Sequence, residues 1–145
     1  EYYKLVEYFS LYSKKRMAIS MGVNNLIDIF DHKYYGHLSG GILEAFSKLF
    51  HKDLKVYLYP MLNEDGDLIT SDNLKVHPRV KELYKFFKYT GKLVDIENYK
   101  PEILNIFSRR VLKMINSGEG DWEPLLPAVI SDMIKEQRLF GYKEK

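Results

Sequence analysis

The chain has 145 residues, 46% of them hydrophobic and 29% charged, with a net charge of +2. That length suits one domain, which can bury roughly 68–70% of the surface its unfolded form exposes and so needs no staple. The small charge argues against nucleic acid as a partner, because an electrostatic footprint needs a basic stripe and a larger excess.

The sequence has no cysteine, so a disulfide framework, a thiol nucleophile and a thiolate metal site are all excluded. No apolar run approaches the ~18 residues of a membrane span, and the first residues lack the layout of a signal peptide. A cytoplasmic protein with no membrane partner is the expectation. Glu1-Tyr2-Tyr3-Lys4 lacks an initiating Met and reads as helix at once. This predicts that residues 1–145 are a single α/β domain, the C-terminal part of a longer protein whose upstream domain is a partner. Twelve Tyr, eight Phe and one Trp fall mostly at core-facing positions, which favours packing over base stacking.

In chain order, Tyr2, Leu5, Val6, Phe9 and Tyr12 form an apolar stripe at helical spacing. Lys14-Lys15-Arg16 suits that helix's end, where cations are favoured. Met17 to Met21 is a short apolar run ended by Gly22, as in a buried strand. Asn24 or Asn25 can cap the next helix, which carries Leu26, Ile27 and Phe30. Residues 33–41 break the pattern before an amphipathic helix through Ile42, Leu43, Ala45, Phe46, Leu49 and Phe50.

Leu54 to Tyr59 alternates and is rich in β-formers, with Pro60 closing it. Asp65-Gly66 marks a hairpin turn, after which Leu68-Ile69-Thr70 returns as a short edge strand. Pro78 opens a helix with Val80, Leu83, Tyr84 and Phe87 on its buried face, and Gly91 stops it. Lys92 to Ile96 is a third strand. Pro101 opens a helical stretch to Ile115, with a break expected near Ser108, which could cap a second segment, and Gly118 and Gly120 end it. A last helix spans about Pro127 to Gln137.

Strands separated by helical crossovers pair in parallel. The expected fold is therefore a three-layer-like α/β domain with a short, mostly parallel sheet, an antiparallel edge hairpin and five to six helices.

Two places could hold a ligand. Open α/β sheets bind ligands outside the carboxyl ends of their strands, here Met21 to Asn25, Tyr59-Pro60 and Asp95-Ile96. Asn24 and Asn25 there could orient a polar group or simply cap a helix. The second place is Gly36-His37-Leu38-Ser39-Gly40-Gly41. Glycines before a helix expose N–H groups toward an anion, and Lys33, His37 and Ser39 could add bonds to a phosphate beside the Gly40 and Gly41 amides. An ordinary surface loop capped by Ser39 is the competing reading. No P-loop or dinucleotide fingerprint is present.

Other constellations fail sooner. Asp28, Asp31, His32 and His37 match no metal-ligand spacing, and the Asp65 turn lacks the remaining ligands of a calcium loop. Ser10, Ser20, Ser39 and Ser108 show no nucleophile elbow. Arg109, Arg110 and Lys113 read as a solvated helix face, and Trp122, beside Pro124, as a loop anchor rather than an exposed partner surface.

At Asn24-Asn25-Leu26, Gly40-Gly41-Ile42-Leu43-Glu44-Ala45-Phe46, Leu58-Tyr59-Pro60, Leu83-Tyr84-Lys85-Phe86-Phe87, Ile106-Phe107-Ser108-Arg109 and Leu139-Phe140-Gly141-Tyr142, the chain resembles the C-terminal region of a large bacterial family. Its members are several times longer and carry the labels nicotinate-nucleotide adenylyltransferase or TonB-dependent receptor. A receptor barrel is excluded for this region, since its strands would alternate in ~10-residue segments. The other label implies a nucleotidyltransferase. Its Gly-x-Phe-x-Pro-x-His-x-Gly-His and Ser-Thr-x-x-Arg elements do not occur here, so the resemblance brings no catalytic residue.

The resulting expectation is a nucleotide- or phosphate-ligand-binding α/β domain without a recognisable catalytic motif of its own. The alternative is a non-catalytic interaction or oligomerisation domain, with a homo-oligomer as one form it could take. No cofactor and no metal is implied.

Overall fold

A computed structural model describes residues 1–143. Its backbone divides into two compact units, residues 1–99 and residues 100 onward.

The first unit contains α1 (Tyr2–Tyr12), β1 (Ala18–Gly22), α2 (Val23–Ile29), α3 (Gly41–Leu49), β2 (Lys55–Tyr59), β3 (Met61–Leu62), β4 (Leu68–Ile69), α4 (Lys81–Tyr89) and β5 (Leu93–Asp95). Its main sheet has the order β1-β2-β5, all parallel. The three strands expected at 17–21, 54–59 and 92–96 are thus neighbours in one sheet, with Ala18 opposite Lys55 and Val56 opposite Leu93.

Val56 and Leu58 are fully buried, while Tyr57 between them is exposed. Ser20, Tyr57 and Val94 stand side by side in the register, and Ala18, Ser20 and Tyr57 face solvent. Successive side chains of a strand point to opposite faces, so the sheet buries the face that carries Met21, Val56, Leu58 and Leu93.

That buried face meets a cluster of rings. Phe30, just after α2, lies 4.8 Å from Phe46 of α3 and 5.2 Å from Tyr84 of α4, edge-on in both cases. Phe50 stacks on Phe87 at 4.2 Å, and Tyr35 links Phe46 to Tyr3 of α1. Each edge-to-face pair adds about 0.5–1.5 kcal/mol beyond area burial, so the cluster draws four helices onto one core.

The expected hairpin forms. Met61 pairs with Ile69 in a two-stranded ladder of its own. Pro60, between β2 and β3, has no N–H to offer a ladder. Gly66 closes the turn at φ 85°, and the Asp67 N–H donates to Asn63 Oδ1 at 2.7 Å.

Three local expectations are corrected. On α1, Tyr3 and Val6 are buried, whereas Leu5, Phe9 and Tyr12 of the expected stripe are exposed. Apolar residues surround most of this helix, so periodicity alone does not choose the packed face. Neither Asn24 nor Asn25 caps α2. The chain passes from β1 directly into the helix at Gly22, without a side-chain cap. The helical stretch from Pro101 breaks where expected, a 3-10 turn, Pro101–Ile103, being followed by α5 (Ser108–Ser117), but Ser108 is its first helical residue and makes no capping bond.

The second unit pairs α5 with α6 (Ala128–Glu136) around Val111, Ile115, Trp122 and Ile134. Gly118 ends α5 at φ 68°, a left-handed stop that glycine adopts without strain. Trp122 is only 4% exposed and meets the Tyr142 ring edge-on at 5.9 Å. It is a core anchor. Among the described residues no helix is long and apolar enough to cross a membrane.

One polar hub ties α4 to the sheet. The Tyr84 hydroxyl donates to the Ser71 carbonyl at 2.6 Å. The Ser71 N–H and hydroxyl donate to the Asp95 carboxylate at 3.0 and 2.6 Å. Burial pushes the Tyr84 phenol up to about 12 from its ordinary 10.0. Burial does the same to Tyr35, whose hydroxyl donates to the Ile29 carbonyl.

A raised phenol pKa contributes stability that is complete below the unfolded value of 10.0 and lost as pH rises through about 12. Stability should therefore fall steeply across that window. Tyr84→Phe leaves the Ser71 carbonyl unpaired and should cost about 1–3 kcal/mol near neutral pH, while making the alkaline fall shallower. Urea denaturation of both proteins, near neutrality and in the alkaline window, measures the two effects.

Candidate functional site

At the carboxyl ends of the strands, Gly22 lies beside Tyr59 and Leu58 beside Asp95. Switch-point crevices open where strand order reverses, and here the order follows the chain without reversal. Both Asp95 oxygens are engaged by Ser71. Asn24 and Asn25 lie exposed in the first turn of α2 and make no side-chain hydrogen bond among the described residues.

The glycine-rich loop already holds an anion from its own chain. The Gly40 N–H donates to Glu44 Oε2 at 3.0 Å, and the Ser39 hydroxyl reaches the same oxygen at 3.3 Å. Lys48 pairs with the other Glu44 oxygen at 3.0 Å. The Gly40 N–H, followed by Lys48, holds the Glu44 carboxyl below its ordinary range.

The glycines answer to this geometry. A Cβ on residue 40 would come within 2.8 Å of Glu44 Cβ, and Gly41 takes φ 54°. His37 Nε2 lies 3.1 Å from the Tyr3 hydroxyl and 3.7 Å from Glu1. Lys33 pairs with Asp31 at 2.6 Å and lies over the Tyr34 ring. Of the expected site residues, then, Ser39 and Gly40 converge on Glu44. Lys33 and His37 turn to other partners, and Asn24 and Asn25 occupy a different element.

A second place, missing from the sequence reading, lies between residues 71–78 and α4. It is a hollow of about 800 Å3. Leu74, Val76 and Pro78 form an apolar wall with Tyr84 and Tyr89, and Lys75, Lys81, Lys85 and Lys88 supply the charge. Positions 81, 85 and 88 recur at the spacing that puts three lysines on one face of a helix.

Lys85 pairs with Glu82 at 2.7 Å, and Lys88 pairs with Asp72 across the rim. Lys75 and Lys81 have no acidic partner among the described residues. The Ser71 hydroxyl donates to the Asp95 carboxylate and Ser71 is buried, so it serves as a structural donor rather than a group open to a substrate. The hollow offers charge and apolar contact rather than a nucleophile and its base.

Elsewhere, Arg109, Arg110 and Lys113 are exposed on α5. No group of three or more His, Asp or Glu among the described residues could hold a metal ion.

The Glu44 cap can be tested alone. A lowered carboxyl pKa contributes stability present above the unfolded value of 4.5 and lost as pH falls through the folded one. Glu44→Gln should lower the thermal midpoint near neutral pH, and the gap to the unaltered protein should close on acidification. Paired thermal melts at neutral and acid pH follow it.

Compared with known protein families, curated proteins and solved structures, the chain matches none.

Proposed function

We propose that residues 1–99 bind a small phosphorylated ligand, seated in the lysine-lined hollow of α4 rather than on the glycine-rich loop. One observation carries the reading. Lys75 and Lys81, which have no acidic partner among the described residues, line a hollow that also has an apolar wall. Ligand sites are concave, roughly 300–1,000 Å3, mostly apolar, and orient their ligand with a few polar groups. The hollow, at about 800 Å3, is of that kind. The loop is set aside because Glu44 already takes its free N–H. The resemblance to a family labelled for nucleotide chemistry agrees with a phosphorylated ligand, whether a nucleotide or a simpler one.

A ligand that binds only the native state stabilises it by about 2.7 kcal/mol at a hundredfold excess over Kd. Thermal melts with pyrophosphate, nucleoside phosphates and sugar phosphates should therefore include at least one that raises the midpoint. The double variant Lys75→Ala/Lys81→Ala should lose that rise while keeping its ligand-free midpoint, since both side chains are solvent-facing. A full panel without any rise refutes the proposal.

A second reading, self-association, rests on α1. Leu5, Tyr8, Phe9, Leu11 and Tyr12 are all exposed there, and the Tyr8 ring touches both Phe9 and Tyr12. The five side chains, 46–76% exposed, make one apolar patch of the kind that marks a protein–protein contact. The matching occupant is a second copy, with the helices antiparallel so that Lys14, Lys15 and Arg16 of one approach Glu1 of the other. Sedimentation should show a concentration-dependent dimer that Phe9→Ser with Tyr12→Ser abolishes. A monomer throughout the range ends this reading.

A further inference from the structure

The two walls of the hollow are fastened unequally. At the floor, Ser71 is held through its N–H, hydroxyl and carbonyl by Asp95 and Tyr84. At the rim, the next residue, Asp72, holds Lys88 of α4 by one ion pair, and the Asp72 side chain is 83% exposed. Lys88 is 26% exposed, and a pair whose acid lies this open to water is screened from that side and therefore weak. The floor is thus firm and the rim is easily opened.

Asp72 is also the acidic side chain among the residues lining the hollow. It opposes an entering anion twice. It occupies Lys88, and it places a negative charge where the anion would come. Because Ser71 is clamped, the Asp72 backbone cannot follow Lys88 inward. Lys88 has three N–H donors, so a ligand either shares it with Asp72 or takes it over, and in both cases the Asp72 charge opposes the anion.

We infer that Asp72 is a gate residue: its pair with Lys88 sets how strong an anion must be to enter the hollow. This rests on the proposed phosphorylated ligand. Weakly charged anions fail to displace Asp72 from Lys88, whereas a polyanion that contacts several lysines succeeds. Specificity of this kind comes from a built-in competitor as much as from attraction.

The experiment is titration calorimetry of the full chain with pyrophosphate. Asp72→Asn should bind about two- to fivefold more tightly than the unaltered protein, the fold-change of an exposed ion pair. Asp72→Glu should restore the original affinity. Glu64→Gln, which changes net charge equally from the exposed hairpin turn outside the hollow, should leave it unchanged. In a Lys88→Ala background the gain from Asp72→Asn should shrink.

Unchanged or weaker binding by Asp72→Asn, beside measurable binding by the unaltered protein, overturns the gate and leaves the ligand reading standing. An equal gain from Glu64→Gln, or a gain undiminished without Lys88, overturns the gate as well. Absence of binding by both the unaltered protein and Asp72→Asn removes the proposed site, and the gate with it.

Discussion

The edge-on contact of Phe30 with Phe46 and Tyr84 is the joint on which residues 1–99 turn. Phe30 follows α2, Phe46 belongs to α3 and Tyr84 to α4, so one ring holds helices from both crossovers of the sheet. Those helices cover Val56 and Leu58, which are completely buried. The same ring fixes Tyr84, whose hydroxyl secures Ser71, and Ser71 fixes the wall of the lysine-lined hollow. Core packing and the candidate site are therefore not separable. A change that shifts Phe30 moves the floor on which a ligand would rest.

The main sheet was legible in the sequence because its strands are short apolar runs with clear breaks. Gly22, Pro60 and Gly91 mark those breaks, and the crossovers between the runs are too long for hairpins. Burial along α1 was not legible. Eight of its eleven residues, Tyr2, Tyr3, Leu5, Val6, Tyr8, Phe9, Leu11 and Tyr12, are aromatic or aliphatic, so Lys4, Glu7 and Ser10 mark too narrow a polar strip to choose the packed face. The caps of α2 and α5 were misread for another reason. Asparagine and serine suit a cap chemically, but the chain enters these helices from residues 22 and 107, which supply no side-chain bond.

The candidate site divides along the same line. Glycines 40 and 41 stood out, and the structure gives them a steric cause: the closeness of Glu44 at one and a positive φ at the other. Glu44 follows Gly40 by four positions, so the competing carboxylate was visible in the sequence without its role being clear. The lysines at 81, 85 and 88 were equally visible as a helical face. Lys75 and the apolar wall come from a loop whose fold against α4 depends on Ser71, Asp95 and Tyr84, residues far apart in the chain. No local pattern encodes that meeting.

The parallel arrangement bears on how the molecule acquires its shape. Residue 18 meets residue 55 and residue 56 meets residue 93, a separation of 37 positions in each ladder. Neither ladder can start from a tight turn. Each demands the closure of a long loop before any strand bond is gained, an entropic toll that grows only slowly with length but is due in full at the outset. Helical segments that condense early around the phenylalanines would shorten both searches at once. The sheet is then a late product of assembly, and its strand pairing is among the first features surrendered when the unit comes apart.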